Sequence, residues 1–289
     1  MGSIVGVLIT FAMVFGGYLI AGGKMGIILS TLPYEMMMIG GAAVGAFIVA
    51  NDGATIKHTM KDLGKAVKGP KWTRDDYTDL LSLMFELLKC SRSDPMALEQ
   101  HIENHEESEL FGKYPKIQAD GRACEMICDT LRAASMNFDD PHQVEEVLEK
   151  QLEAGREHSQ HSSHALQTMA DGLPALGIVA AVLGVIKTMG SIDQPPEVLG
   201  KMIGGALVGT FLGVFLAYGV VGPFASRVGT VNESDEEFYS LIRDILVANL
   251  QAHPPATCVE VARQNVPRAL RPKFAEVEET LKELKKATT

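Results

Sequence analysis

Apolar residues are concentrated in four stretches of the chain, and charged residues lie mostly between the second and third stretches and after the fourth. A helix needs about 20 mostly apolar residues to cross the hydrocarbon core of a membrane. The pattern therefore predicts four membrane-spanning helices, at residues 4–21, 33–50, 172–189 and 202–224. The first stretch lacks the basic start and the cleavage site of a signal peptide, so we expect it to be a span.

The polar segment between spans two and three has helical periodicity. Apolar residues recur three and four positions apart in two runs: Tyr77, Leu80, Leu81, Met84, Leu87 and Leu88, then Val144, Val147, Leu148 and Leu152. Prolines at 70, 95, 115 and 141 divide the segment into several helices, and the Asp94-Pro95 and Asp140-Pro141 pairs predict helix starts.

The C-terminal tail is also predicted to be helical, ending in an amphipathic helix with Phe274, Val277 and Leu281 on its apolar face. The fold class predicted is an all-α integral membrane protein. It has four transmembrane helices, a large helical cytoplasmic domain between spans two and three, and a helical C-terminal tail. The expected divisions are 1–51 (spans one and two), 52–171 (cytoplasmic domain), 172–226 (spans three and four) and 227–289 (cytoplasmic tail).

The basic residues next to the spans predict the orientation of the chain. Five lysines and one arginine follow span two closely: Lys57, Lys61, Lys65, Lys68, Lys71 and Arg74. The loop between spans one and two has Lys24 alone, and the turn between spans three and four has no basic residue from Asp193 to Glu197. Because basic residues favour the cytoplasmic side, both termini are predicted to be cytoplasmic.

Composition excludes some functions. The formal net charge of −10 argues against nucleic-acid binding, which calls for a surplus of Lys and Arg. The four cysteines show no disulfide framework and fit a reducing cytoplasm.

The chain shows no motif of a catalytic centre or a bound cofactor. His158, His161 and His164 precede span three, where a wet helix surface is favoured over a metal site.

Small residues recur at intervals of four in the spans. Span four has Gly205, Gly209 and Gly213, and span three has Ala180 and Gly184. This spacing places small residues on one helix face, where another backbone can approach closely. Two interpretations remain open, packing inside the chain and packing against further helices of an oligomer or partner.

Ionisable groups are absent from the centres of the predicted spans, because Glu35 and Asp171 lie at span edges. Intramembrane carboxylates are typical of ion paths, so an ion-conducting function would need a carboxylate from another chain. Thr210 is a polar residue well inside span four, where it could bind an ion or water, or hydrogen-bond its own helix. Pro174 and Pro223 lie at the cytoplasmic ends of spans, as boundary markers or as hinges.

Specific motifs resemble the MotA family of flagellar motor stator subunits. They are Val14-Phe15-Gly16-Gly17-Tyr18-Leu19, Ser108-Glu109-Leu110-Phe111 before Tyr114-Pro115, Leu173 through Val182, and Val208-Gly209-Thr210-Phe211-Leu212-Gly213 continuing to Gly219. The resemblance covers essentially the whole chain. It implies five copies in the inner membrane around a MotB dimer, which supplies the ion-binding carboxylate, and contact with FliG of the rotor.

The resemblance also implies roles for individual residues. Thr210 and Ala181 would face the ion path, Pro174 and Pro223 would act as coupling hinges, and Arg92 and Glu99 would bind the rotor. The segment between Arg92 and Glu99 is one residue shorter than in some members of the family, so Glu99 is the firmer assignment. The small-residue faces of spans three and four would line the interior of the pentamer around MotB. The ion is expected to be a proton, with no other cofactor.

Two other functions compete with this interpretation. An ExbB- or TolQ-like energiser of outer-membrane processes has three spans, whereas this chain has four predicted spans. A self-contained secondary transporter would need polar or charged groups or broken helices at the middle of the membrane within this chain.

Overall fold

The computed structural model describes residues 2–136 and 138–287, and these residues form helices and loops without a β-strand. The all-α fold class is thereby confirmed. The helices are α1 (Gly2–Ile20), α2 (Met25–Ala50), α3 (Gly53–Lys68), α4 (Arg74–Ser93), α5 (Pro95–Glu103), α6 (Glu109–Gly112), α7 (Pro115–Gln118), α8 (Gly121–Ser135), α9 (Pro141–Met189), α10 (Pro196–Leu250), α11 (Pro255–Asn265) and α12 (Phe274–Ala287).

Four helices are long and apolar enough to cross a membrane, namely α1, α2, α9 and α10, and they correspond to the four predicted spans. Three of them extend beyond the predicted limits. Helix α2 begins at Met25 rather than at residue 33, and α9 and α10 are 49 and 55 residues long. Hydropathy shows where a chain meets lipid, whereas a helix continues until its backbone hydrogen bonding is interrupted.

Helix starts follow the capping chemistry of the sequence. Asp94 Oδ1 accepts a hydrogen bond from the Ala97 N–H group (3.1 Å), and Asp140 Oδ1 accepts one from Gln143 N–H (3.0 Å). Each aspartate satisfies an N–H group that has no partner within its own helix. Both predicted helix starts, at Pro95 and Pro141, are confirmed. Helix α3 ends before Gly69, whose φ of 99° lies in the region that glycine tolerates best.

The chain forms two compact units. The membrane unit comprises residues 2–69 and 158–232, and the polar unit comprises residues 70–157 and 233–287. The membrane unit thus includes α3 and residues 158–171 as well as the four predicted spans. The functional division at 51, 171 and 226 stays a prediction.

The polar unit has its own large apolar core. Trp72 stacks on Phe238 with ring centroids 3.8 Å apart, and Tyr77 packs beside them at 0% exposure. The residues that gave α4 its periodic pattern, Leu80, Leu81, Met84, Leu87 and Leu88, are all fully or nearly fully buried. Burial of so much apolar surface accounts for a stable helical unit outside the spans.

A buried carboxylate fixes the start of α4. Asp76 accepts hydrogen bonds from the N–H group and the hydroxyl of Thr73 (2.6 and 2.7 Å), which closes a capping box, and it forms an ion pair with Lys116. Burial raises the pKa of Asp76, but the hydrogen bonds from Lys116 and Thr73 outweigh burial and leave that pKa below its usual value. Asp76 is therefore ionised at neutral pH and joins two segments of the polar unit.

Candidate ion path and coupling residues

Helices α9 and α10 of the membrane unit are in backbone contact. A Cβ atom added to Gly177 would lie 2.8 Å from the carbonyl oxygen of Gly209. A Cβ added to Gly213 would lie 2.7 Å from the carbonyl oxygen of Leu173 and 2.9 Å from Cα of Gly177. Larger side chains at these positions would force the two helices apart.

The small-residue faces of spans three and four pack against other helices of the same chain. A Cβ added to Gly184 would meet the Cβ of Ala206 at 2.6 Å, and one added to Gly205 would meet Cγ2 of Thr31 on α2 at 2.8 Å. The expectation that these faces line the interior of a pentamer is wrong for these glycines, because α2, α9 and α10 already occupy them. Gly41 and Gly45 of α2, by contrast, have no atom within 4 Å of an added Cβ.

Aromatic side chains pack α1 against α10. Phe11 and Phe215 meet edge to face with centroids 4.9 Å apart, and Phe15 contacts both Phe211 (5.9 Å) and Phe215 (5.5 Å). Edge-to-face pairs of this kind add about 0.5–1.5 kcal/mol beyond the burial of their area. This cluster holds the first span beside the fourth.

The predicted ion-path residues lie next to the closest helix contacts. Thr210 follows Gly209 and Ala181 follows Ala180, and both Thr210 and Ala181 are half-buried. Among the residues that the structure describes, the Thr210 hydroxyl has no hydrogen-bond partner. Thr31 and Thr188 differ, because each donates to a carbonyl oxygen one turn earlier at 2.9 Å. The Thr210 hydroxyl is thus available to bind water or an ion.

Glu35 is not at the edge of a span, and that expectation is wrong. It is the eleventh residue of α2, which puts it about 15 Å from the start of the helix at 1.5 Å per residue. The Glu35 side chain is buried, with 5% exposure. Its Oε2 atom would lie 2.7 Å from a Cβ atom added to Gly209 on α10. The predicted span two starts at Pro33, although the residues from Met25 onward are apolar enough to continue the helix. An unbroken window starting at Met25 would have shown a carboxylate enclosed in it.

The two prolines lie inside helices, so the interpretation that they mark helix ends is wrong. Pro174 is within α9, which continues in both directions, and Pro223 is within α10. Proline has no N–H group and cannot bond the carbonyl oxygen four residues earlier. Before Pro223 the helix widens into a π-helical segment at Ala217–Val221, where Gly222 N–H bonds the carbonyl oxygen of Ala217.

The predicted rotor-binding residues lie in the polar unit. Glu99 is exposed on α5. Arg92, near the end of α4, donates to the backbone carbonyl oxygen of His253 and to Asn249 Oδ1 (3.4 Å). Arg92 thus satisfies a carbonyl group just beyond the C-terminal end of α10, where the helix dipole favours a cation. No local pattern in the sequence indicates this structural contact.

The histidines before span three form ring contacts. His158 lies 4.9 Å from His58 and 6.1 Å from His161, between ring centroids. Throughout residues 2–136 and 138–287, however, no three His, Cys, Asp or Glu side chains are arranged to hold a metal ion. The structure adds no support to a metal site at this position.

The fold and the arrangement of the spans define a multi-pass helical membrane protein with a large polar helical unit. The sequence profile of the motility protein A N-terminal region matches residues 4–95, and that of the MotA/TolQ/ExbB proton channel family matches residues 124–240. Motility protein A of Escherichia coli is 37% identical, covering 98% of this chain and 95% of the relative. The chemotaxis protein LafT of Vibrio parahaemolyticus is 34% identical, over 98% of this chain and 99% of that relative.

Solved structures show the same fold. The flagellar MotAB stator complex from Bacillus subtilis contains a chain with a TM-score of 0.72 at 20% identity, covering 95% of this chain and all of that one. A chain of C. jejuni MotAB has a TM-score of 0.72 at 17% identity, and the match covers 92% of this chain and 96% of that one. The chain belongs to the motility protein A family. This is a family of motility proteins, related to a proton channel family, and not a family of enzymes.

Proposed function

We propose that this chain forms a proton channel together with a MotB-type partner and converts proton flow into rotor torque. The observation that carries the proposal is the 37% identity to a motility protein A over 98% of this chain. The matching proton channel profile and the stator complexes named MotAB support it. The transported ion is a proton, and no other cofactor takes part.

The partner completes the ion path. A dimer of the partner contributes one helix per subunit with an ion-binding carboxylate, and five copies of this chain surround it in the inner membrane. Thr210 and Ala181 face that path, which the unbonded Thr210 hydroxyl supports. Both termini of this chain lie in the cytoplasm, as the lysines after span two indicate.

Torque passes to the polar unit through α9 and α10. Pro174 and Pro223 act as coupling hinges, because each interrupts the hydrogen bonding of a helix that has residues in both units. Arg92 and Glu99 form part of the surface that contacts FliG of the rotor. Arg92 has a second role, since it also holds the segment that follows α10.

An ExbB- or TolQ-like function is the second candidate, because the matching channel profile includes those proteins. Two observations favour the flagellar function. Four helices of this chain can cross a membrane, and the N-terminal profile belongs to motility protein A. Deleting the gene from its host distinguishes the two: cells that carry flagella but cannot swim, and that recover on re-expression, support the stator. Normal swimming with a defect in outer-membrane transport supports the alternative.

Charge reversal at Glu99 is expected to reduce swimming without loss of the protein. An exposed charge contributes about 0–1 kcal/mol to stability but can steer and align an interface. Glu99→Lys should therefore lower swimming speed while the membrane level of the chain stays normal, and Glu125→Lys, an exposed carboxylate on α8, should swim normally. If both variants swim equally well, Glu99 is not part of the surface that contacts the rotor. Arg92→Glu is a less clean test, because it also breaks the contact with His253.

A further inference from the structure

Glu35 is a buried carboxylate between three helices of the membrane unit. A Cβ added to Gly209 of α10 would lie 2.7 Å from Oε2 of Glu35 and 3.3 Å from the Cβ of Ala180 on α9. Glu35 therefore lies at the level of Gly209 and Ala180, which directly precede Thr210 and Ala181 in the sequence. A π-helical segment, Met36–Gly40, begins directly after it, and such segments are frequent at functional sites.

The Glu35 carboxylate lacks the partners that a buried charge needs. Its Oε2 atom is buried without a hydrogen-bond partner among the described residues. The hydroxyl of Thr31, four residues earlier on the same helix, donates to the carbonyl oxygen of Ile27 at 2.9 Å instead. An ionised, unpaired carboxylate is costly in this setting. The group is stable there when it takes up a positive ion.

A cavity connects Glu35 with one end of the spans. Its volume is about 450 Å³, and its lining includes Glu35, Gly184, Gly205, Lys187 and Lys201. Lys187 lies two residues before the end of α9, and Lys201 lies in the second turn of α10. At 1.5 Å per residue, the distance along α10 from Gly209 to Lys201 is about 12 Å. The cavity thus extends from Glu35 towards the turn that, in the proposed orientation, faces away from the cytoplasm.

The chemistry of the cavity favours a proton over a metal ion. Two ammonium groups, Lys187 and Lys201, line it, and an ammonium group has no lone pair with which to bind a metal ion. The other titratable side chain there is the exposed Tyr34. Opposite Glu35 stand Ala180 and Gly209, which have no side-chain oxygen to complete a coordination shell. A proton needs no such shell and reaches the carboxylate through water.

We propose that Glu35 is a proton-binding group of this chain on the non-cytoplasmic side of the ion path. The cavity brings water to its carboxylate, which binds a proton to become the neutral acid and releases it again, with no other bond changed. Protons pass from there towards the partner's carboxylate at the level of Thr210. This inference rests on the proposed function, and it adds to it an access site built from this chain alone.

Carbodiimide labelling tests the protonated state directly. Dicyclohexylcarbodiimide modifies protonated carboxyl groups in apolar surroundings, and mass spectrometry of this chain locates the adduct. In membranes containing the full chain and its partner, we expect an adduct on Glu35 and none on Glu197, an exposed carboxylate in the first turn of α10. An unmodified Glu35 would contradict the proposal. This measurement does not require the complex to conduct.

Proton flux tests the role of Glu35. In vesicles containing the purified complex, Glu35→Gln should lower proton flux severalfold, Glu35→Asp should retain most of it, and Glu197→Gln should conduct like the parent chain. Co-purification of the partner with each variant checks assembly. Parent-like flux of Glu35→Gln would overturn this proposal and leave the stator function intact. Absence of flux from the parent complex would instead contradict the proposed function, and the labelling result would still decide whether Glu35 binds a proton.

Discussion

Gly213→Ala is expected to lower the thermal stability of the detergent-solubilised protein, and Gly213→Leu is expected to prevent its accumulation in membranes. The added Cβ would lie 2.7 Å from the Leu173 carbonyl oxygen and 2.9 Å from Cα of Gly177. Both atoms belong to the backbone of α9, so no side chain can move aside and the helices must separate. Overpacking costs about 1–3 kcal/mol even where side chains can adjust.

Gly200→Ala is the matched control for this effect. Gly200 is on the same helix, and an added Cβ would have no atom within 4 Å. Alanine is favoured over glycine in a helix by about 1 kcal/mol, so this variant should be unchanged or slightly more stable. The measurement is the temperature at which half of the protein is lost from the soluble peak after heating. If both variants behave alike, the close contact of α9 and α10 is wrong.

Pro174→Ala and Pro223→Ala are expected to assemble with the partner and to produce little or no torque. Alanine would supply the missing N–H group and restore a regular helix, removing a local cost of about 3 kcal/mol. A helix that gains stability but loses its point of bending would no longer pass movement from the spans to the polar unit. Tethered-cell rotation measures torque, and co-purification of the partner measures assembly.

Pro196→Ala provides the control for the proline variants. Pro196 is the first residue of α10, where proline interrupts no helical hydrogen bond and its removal should leave rotation normal. Normal rotation of Pro174→Ala and Pro223→Ala would show that these prolines only shape their helices. The route of coupling would then have to follow other residues.

Much of the fold could be predicted from the sequence because its signals are local. Runs of apolar residues identify four spans, and a small residue every fourth position predicts close helix packing. Aspartate before proline predicts the starts of α5 and α9, since the carboxylate accepts from N–H groups that every helix leaves free. In each case the physical cause acts within a few residues of the signal.

Other features depend on contacts between distant segments or on helix continuity. Arg92 bonds the backbone of His253, 161 residues away, and a surface charge gives no local indication of such a contact. Pro174 resembles a helix boundary in sequence, but apolar packing on both sides, including buried Leu173 and Ala180, keeps α9 continuous. The predicted edge position of Glu35 follows from a span that starts at Pro33, whereas α2 begins at Met25.

In the proposed function, this chain conducts protons when its partner supplies the missing carboxylate. We expect no conduction by the chain alone, because the cavity beside Glu35 extends towards one side of the membrane and closely packed Ala180 and Gly209 lie beyond it. The direct measurement is acidification of the cytoplasm in cells that express this chain with and without the partner, under an inward proton gradient. Acidification that requires both chains is the predicted result. Equal acidification with this chain alone would contradict a channel that needs the partner's carboxylate.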